Sequence, residues 1–154
     1  MSKITPCLWF DGTAEKAALL HTSLFENSRL ISPSSPTPEG GHPPMMVEWE
    51  INGQRVLGLN GGPHYKLNPA FSFMVSVDGQ DEVDRLWAGL TANGGKESMC
   101  GWLEDPYGIS FQIVPVQLMR LMSDPDQDKA GRVRDAMFKM KKIIVADLEA
   151  AHRG

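Results

Sequence analysis

Side chains that could bind a small molecule are few in this sequence, and most are aromatic or amide rather than charged. Trp9, Trp102 and Phe73 fall in predicted strands, where large flat side chains can line a pocket for a flat or apolar ligand. Asn60 and Gln112 are neutral amides that could orient such a ligand by hydrogen bonds. Large aromatic residues on a sheet are also typical of a hydrophobic core. The alternative interpretation, that these side chains are core residues rather than ligand contacts, therefore stays open.

Acid–base chemistry has two candidate positions. Glu48 and Glu50 alternate with Trp49, so one strand face carries two carboxylates, which are the only obvious general bases if that face turns inward. A solvated face is the alternative. His64 follows a Gly-Gly-Pro turn and could reach the mouth of a pocket, or lie exposed in its loop. The other histidines, on a helix, in a loop and in the tail, are expected to be packed or solvated: His21, His42 and His152.

The elements that must position these residues occur in two similar sets. A short apolar strand ends at Asp11-Gly12 and precedes an amphipathic helix, and the same order recurs 67 residues later at Asp78-Gly79. Each copy is followed by a hairpin, turning at Asn52-Gly53 in the first and at Tyr107-Gly108 in the second. The chain is therefore predicted to consist of two βαβββ modules. Neither module alone could bury its sheet face, so they are expected to pair, within the chain or across a dimer.

The predicted fold class is α+β, with two paired βαβββ modules forming curved mixed sheets and with helices at the C-terminus. Residues 1–154 are expected to form a single domain: module one over about 1–62, module two over about 68–115 and a helical tail over about 116–154. The segment 33–44 is rich in Pro, Gly and Ser, which predicts a long irregular loop. Such loops usually serve as lids, as partner-contacting arms or as mobile inserts.

The composition argues against several classes of partner. Apolar residues make up 42% and charged residues 22%, which is typical of a soluble globular domain. The net charge of −4 argues against nucleic acid or an anionic membrane. Cys7 and Cys100 are too few for a disulfide framework, and no apolar run is long enough for a membrane span. Because the N-terminal residues lead directly into a strand rather than a signal peptide, we expect a cytoplasmic protein.

Two βαβββ modules with Asp-Pro-x-Gly before the last strand resemble the vicinal oxygen chelate superfamily, which contains glyoxalase I, extradiol dioxygenases and bleomycin-resistance proteins. The segments that look most like its PhnB-like branch, often labelled a demethylubiquinone methyltransferase domain, are Thr5-Pro-Cys-Leu-Trp-Phe-Asp-Gly12, Leu59-Asn-Gly-Gly-Pro63, Phe71-Ser-Phe73 and Cys100-Gly-Trp-Leu103. Parts of the tail, 121–126 and 137–142, are similar as well. The resemblance implies the fold and a homodimer, whereas a shared fold does not transfer an activity.

The resemblance also implies where a metal would be bound. In the metal enzymes of this superfamily the ligands come from the first strand of each module and from the strand after Asp-Pro-x-Gly. Those positions fall here at Pro6, at Ser72 or Phe73, and at Gln112, and a slip of one residue in the first strand would offer Cys7. Pro and Phe have no donor atom, while Ser and a neutral amide bind transition ions weakly. We therefore expect no metal of the glyoxalase type and no cofactor.

Two functions stay open from the sequence. The first is a metal-independent small-molecule-binding protein, like the drug-sequestering members of the superfamily. Its ligand would be surrounded by Trp9, Asn60, Phe73, Trp102 and Gln112, with His64 nearby. The second is a lyase or isomerase that acts on a small carbonyl or phosphonate compound through an altered metal site. Methyl transfer has no support, because no Gly-x-Gly-x-x-Gly joins a strand to a helix as S-adenosylmethionine sites normally require.

Overall fold

The computed structural model describes residues 3–154, which form two compact units, one ending at Asn68 and the other running from Pro69 to Gly154. The first two residues of predicted module one lie outside the described part of the chain. Each unit contains a four-stranded mixed sheet, so the predicted α+β class with two βαβββ modules is confirmed. The predicted tail belongs to the second unit. That both units form one domain stays a prediction.

The first unit contains β1 (Cys7–Phe10), α1 (Ala14–Leu24), β2 (Arg29–Ser32), β3 (Met46–Ile51) and β4 (Gln54–Asn60). Its strand order is β1-β4-β3-β2, with β1 parallel to β4 and the other neighbours antiparallel. Asn52 and Gly53 join β3 to β4 with φ values of 46° and 80°. Two successive positive φ values define a type I′ turn, whose twist matches that of the strands it joins, and the predicted hairpin is confirmed.

The second unit contains β5 (Phe73–Val77), α2 (Gln80–Thr91), β6 (Lys96–Glu97), β7 (Trp102–Glu104), β8 (Ser110–Pro115), α3 (Val116–Met122), α4 (Gln127–Met137) and α5 (Val145–Arg153). Its strand order, β5-β8-β7-β6 with β5 parallel to β8, repeats the pattern of the first unit. The predicted internal repeat is therefore present in the topology. No helix in residues 3–154 combines the length and the hydropathy needed to cross a membrane.

Each sheet has one face covered by the helix of its own module. In the first unit, α1 packs on β3 and β4 with its buried alanines, opposite buried Val47, Trp49 and Val56. In the second, α2 packs on β7 and β8, where Leu103 and Phe111 are buried. Along β8, Phe111 and Ile113 face the helix, while Ser110, Gln112 and Val114 face the other side, as the alternation predicts.

The tail packs on the second unit of its own chain. Leu118, Leu121, Val133, Ile143 and Leu148 form an apolar cluster with Val114 of β8. Within the predicted helical tail, α4 begins at Gln127 because the Asp126 carboxylate accepts from the N–H groups of Asp128 and Lys129.

The Pro-rich segment 33–44 is anchored on α1. The Glu15 carboxylate accepts hydrogen bonds from the backbone N–H and the hydroxyl of Thr37, at 2.9 and 3.0 Å. The segment therefore lies beside the helix that covers one face of the first sheet. This anchor favours a fixed insert over a freely moving arm.

Candidate functional site

The face of the second sheet that points away from α2 carries two predicted site residues and one neighbouring residue, side by side on adjacent strands. Gln112 on β8 is paired with Met74 on β5 and with Trp102 on β7, so the three side chains point to the same side. Gln112 and Trp102 are half-buried, and Met74 is 56% exposed. We refer to the row of Met74, Gln112 and Trp102 as the open row. It offers a flat indole, a thioether and an amide side by side.

Gln112 forms a neutral hydrogen-bonded pair with Ser72. Its Nε2 donates to the Ser72 hydroxyl oxygen at 2.9 Å, and this is the only side-chain hydrogen bond of Gln112 among the described residues. The Gln112 carbonyl oxygen and the Ser72 hydroxyl proton are therefore available to a ligand. Of the two positions that the resemblance left open, Ser72 is the one whose side chain reaches Gln112.

Phe73 lies on the other face of the second sheet. It is paired with Phe111, and the two rings are 5.5 Å apart on the side that α2 covers. It therefore shares no face with Gln112 and Trp102. The aromatic character of Phe73 suggested a place beside a ligand, but the alternation along β5 turns its half-buried side chain to the face that α2 covers.

A groove with a volume of about 240 Å³ adjoins Trp102. Glu104, Ser110 and Lys96 also line it, and the strand register places these three in the row next to the open row. Lys96 Nζ lies 3.1 Å from the Glu104 carboxylate in an exposed ion pair. Neither Glu104 nor Lys96 is among the predicted site residues. Of the open row, Trp102 lines this groove and Met74 and Gln112 do not, so the groove gives a ligand space beside the indole.

Trp9 lies on the open face of the first sheet and is partly covered by the segment after β4. Its indole N–H donates to the Gly62 carbonyl at 2.8 Å, and the Tyr65 ring meets it edge-on at 4.9 Å. Gly61 lies so close that a Cβ there would be 2.3 Å from the indole ring. His64 is exposed in the same segment. Trp9 therefore has a fixed orientation and one occupied ring face.

Asn60 points to the helix-covered face of the first sheet, opposite to Trp9. Its Oδ1 accepts from the Ala14 N–H at 3.1 Å and its Nδ2 donates to the Pro44 carbonyl at 2.7 Å. Thr13 occupies the N-cap position of α1 without a side-chain cap hydrogen bond, so Asn60 replaces it as the cap. Both ends of this amide are used within the fold.

The carboxylates of Glu48 and Glu50 lie on the open face of the first sheet, each paired with an arginine. Arg29 Nε is 2.8 Å from Glu50, and Arg55 is hydrogen-bonded to Glu48. The hydrogen bond from Arg29 lowers the pKa of Glu50, so this carboxylate is ionised and a weak base at neutral pH. Sequence reasoning missed the two arginines, although charges of opposite sign alternate with apolar residues on these strands.

The donor atoms do not fit the metal site that the superfamily implies. Among residues 3–154, no three His, Cys, Asp or Glu side chains lie close enough together to hold a metal ion. In the second unit the two ligand positions carry the hydroxyl of Ser72 and the amide of Gln112, both neutral. In the first unit Pro6 has no donor, and Cys7 is an exposed single thiol. Divalent transition ions prefer imidazole, thiolate and carboxylate.

Comparison with protein families gives one match. The family model described as 3-demethylubiquinone-9 3-methyltransferase matches residues 2–114, which is most of the chain and ends before α3. The similarity of the tail to the PhnB-like branch therefore stays a prediction. None of the curated proteins compared with the chain matches it.

Several solved structures are similar to this chain. A putative 3-demethylubiquinone-9 3-methyltransferase, PhnB protein, from Bacillus cereus is 29% identical with a TM-score of 0.64, and the match covers 74% of this chain and 99% of that one. Protein PA1353 from Pseudomonas aeruginosa is 20% identical with a TM-score of 0.57, covering 75% and 98%. The fosfomycin resistance protein FosX from Listeria monocytogenes is 14% identical with a TM-score of 0.50, covering 75% and 93%. At these identities the last two show a shared fold alone.

Proposed function

The chain belongs to the 3-demethylubiquinone-9 3-methyltransferase family, the PhnB-like branch of the vicinal oxygen chelate superfamily, and from this premise we propose that it binds a small uncharged molecule without a catalytic metal. The ligand lies on the open row, with a flat apolar part against Trp102 and a hydroxyl or amide group at Gln112 and Ser72. The observation that supports this most is the hydrogen bond of 2.9 Å between Gln112 and Ser72. It joins two neutral groups at the positions where metal enzymes of this fold carry ligands.

The chemistry of the open row favours a neutral ligand that can donate a hydrogen bond. The Gln112 carbonyl accepts such a bond, and its net contribution is about 1 kcal/mol. A flat ring on the Trp102 indole adds about 0.5–1.5 kcal/mol beyond the burial of its area. A charged ligand would lose hydration without meeting an opposite charge at Gln112 or Ser72. An uncharged, partly aromatic molecule with a hydrogen-bond donor can make both favourable contributions.

The remaining predicted site residues have different roles in this proposal. We retain Trp9 and His64, on or beside the open face of the first sheet, as proposed ligand contacts of the first unit considered by itself. Asn60 and Phe73 lie on helix-covered faces, and we propose that they stabilise the modules instead. The family name is not transferred as an activity, because the turns at Asp11-Gly12 and Asp78-Gly79 lack the glycine-rich pattern of S-adenosylmethionine sites.

Binding of 2-naphthol, a neutral planar alcohol, tests the proposal. We expect saturable binding by isothermal titration calorimetry, with an affinity about tenfold lower in Gln112→Leu and in Trp102→Ala, which corresponds to about 1.4 kcal/mol. Met74→Leu, which keeps an apolar side chain in the same row, is the matched control and should bind nearly as the wild type does. Equal affinity in the wild type, Gln112→Leu and Trp102→Ala would contradict the proposal.

Metal analysis separates this proposal from the alternative, a lyase or isomerase that acts on a small carbonyl or phosphonate compound. Protein purified without chelator and equilibrated with zinc, nickel, manganese and iron(II) salts is expected to retain far less than one ion per chain after gel filtration. Stoichiometric metal that is lost in Gln112→Ala would favour the enzyme and contradict the metal-independent function.

The assembly state is proposed on the resemblance, and the location on the expectation from the sequence. We propose that the protein acts in the cytoplasm as a homodimer. Sedimentation velocity is expected to give twice the chain mass of 17.0 kDa at micromolar concentration, and a sedimenting species of one chain would contradict the dimer.

A further inference from the structure

The last 40 residues, 115–154, lie outside the matched family model and are hydrogen-bonded to the turn that precedes the strand of Trp102. We call them the C-terminal extension. Between α4 and α5 its backbone runs beside the turn that precedes β7. The Cys100 N–H donates to the Met140 carbonyl and the Gly101 N–H donates to the Lys141 carbonyl, each at 2.7 Å. Both are short, well-formed hydrogen bonds.

The turn at Cys100 and Gly101, which these two hydrogen bonds hold, has an unusual backbone conformation. Cys100 and Gly101 have φ values of 59° and 84°, and a left-handed conformation is uncommon for a residue other than glycine. Such a conformation persists only when the surroundings hold it, and the two hydrogen bonds from the extension do so together with those from the Ile113 N–H to the Gly101 carbonyl and from the Trp102 N–H to the Met99 carbonyl. Trp102 is the next residue, so the direction in which β7 begins depends on this turn.

We call residues 138–144, between α4 and α5, the clamping segment, because two of its carbonyls bind the turn. Two side chains hold the clamping segment in place. Ile143 is fully buried, and a Cβ on Gly101 would lie 3.1 Å from its Cγ1 atom, so the two residues are in close contact. Gln80, at the start of α2, donates to the Ile143 carbonyl at 3.0 Å and accepts from the Val145 N–H at 2.8 Å. Ile143 and Gln80 therefore link the core of the second unit to the turn.

The extension also covers one end of the face that carries the open row. Val114 lies two residues beyond Gln112 on β8, so both side chains point to the same face. Val114 is buried in the apolar cluster of the extension, whereas Gln112 is only half-buried. The cluster is thus a wall next to the open row.

We propose that the C-terminal extension determines which ligands the open row accepts, by fixing the position of Trp102 through the Cys100-Gly101 turn and by closing the face at Val114. Ile143 and Gln80 are positioning residues in this scheme, since they act through the turn and do not contact the ligand. The inference rests on the proposed function for its ligand. The positioning of Trp102 does not depend on a ligand, so it can be measured in the free protein.

The test compares two truncations within the same apolar cluster. Ile143→Ala removes the contact with the turn, whereas Leu148→Ala, on α5, removes a side chain that is equally buried. The indole N–H resonances of the four tryptophans are assigned by substituting each with phenylalanine. We expect Ile143→Ala, and not Leu148→Ala, to shift the Trp102 resonance in the free protein and to lower the affinity for 2-naphthol about fivefold.

A second variant covers the case in which Ile143→Ala does not fold. Gln80→Met removes both hydrogen bonds to the clamping segment and leaves the cluster intact, so it should give the same Trp102 shift. If the Trp102 resonance keeps its wild-type position in Gln80→Met and in any folded Ile143→Ala, the inference is overturned. A wild-type protein that does not bind 2-naphthol, but whose Trp102 resonance responds as expected, would contradict the proposed function and leave the positioning of Trp102 supported.

Discussion

Asn60 connects three parts of the first unit through one side chain. Its amide oxygen caps the N-terminus of α1, its amide N–H groups hold the Pro44 carbonyl at the end of the Pro-rich segment, and its own backbone belongs to β4. The backbone N–H of Asn60 also donates to the Met45 carbonyl. An amide that serves as a cap and as a loop anchor at once has little capacity left for a ligand.

Replacing Asn60 by alanine should therefore reduce stability rather than ligand affinity alone. We expect the free energy of unfolding to fall by about 2 kcal/mol, the sum of a lost cap and a lost hydrogen bond, measured by urea denaturation. Asn60→Asp keeps the acceptor for Ala14 and should recover part of the loss. An unchanged stability in Asn60→Ala, with loss of 2-naphthol binding, would instead place Asn60 in the ligand site.

At the scale of elements, the turn between β7 and β8 depends on one buried carboxylate. Asp105 is 1% exposed, and its Oδ1 accepts from the N–H groups of Tyr107 and Ile109, both at 2.9 Å. The Gly108 N–H donates to the Asp105 carbonyl, and Gly108 has a φ of 89°. The Asp-Pro-x-Gly pattern predicted this turn. The aspartate carboxylate accepts hydrogen bonds from two backbone N–H groups that would otherwise need a carbonyl or water as acceptor.

Asp105→Ala should leave two backbone N–H groups without their acceptor. We expect a loss of about 2–3 kcal/mol in the free energy of unfolding, because unsatisfied buried donors keep the cost of their lost hydration. Asp105→Asn retains an acceptor oxygen and is the matched control, with a smaller loss expected. Chemical denaturation monitored by far-UV circular dichroism measures both, and equal losses in the two variants would show that the charge rather than the acceptor geometry matters.

At the scale of the whole molecule, one ion pair with α2 ties the extension to the rest of the second unit, as apolar packing on Val114 does. Lys142 Nζ lies 2.6 Å from the Asp84 carboxylate on α2. Within the extension itself, His152 Nε2 is hydrogen-bonded to the Asp124 carboxylate at 2.7 Å. The hydrogen bond from Lys142, together with one from Gln80, lowers the pKa of Asp84. Backbone and histidine hydrogen bonds lower that of Asp124 in the same way. Both carboxylates are charged at neutral pH.

A lowered carboxyl pKa makes stability depend on pH in one direction. The contribution of Asp84 is complete above its unfolded pKa of about 4 and is lost as pH falls through the lower pKa of the folded state. Asp84→Asn should therefore lower the melting temperature at pH 6 but have little effect near pH 2. Because the pair is partly exposed, the difference at pH 6 should correspond to about 0.2–1 kcal/mol.

Thermal melts from pH 6 to pH 2 measure this effect. Asp81→Asn, on the same helix, is the control, because its carboxylate forms no ion pair among the described residues. A destabilisation by Asp84→Asn that stays constant down to pH 2 would contradict the role of the Asp84 charge.

Much of the fold could be predicted from local signals in the sequence. The Asn52-Gly53 turn, the alternation along β8 and the repeat from Asp11-Gly12 to Asp78-Gly79 each depend on residues close together in the chain or on a regular period. The neutral character of Ser72 and Gln112 was visible in the same way, because residue type alone decides whether a donor atom suits a metal.

The partners of these elements were decided only by the tertiary structure. Asn60 and Phe73 carry suitable chemistry for a ligand site, yet strand register turns both side chains towards helices, and register is set by distant packing. The apolar residues of the extension predicted helices and did not indicate that Ile143 would contact Gly101. The sequence by itself therefore determined the modules and the neutral amide at position 112, whereas the placement of that amide beside Trp102 and Ser72 follows from hydrogen bonds and contacts between residues far apart in the chain.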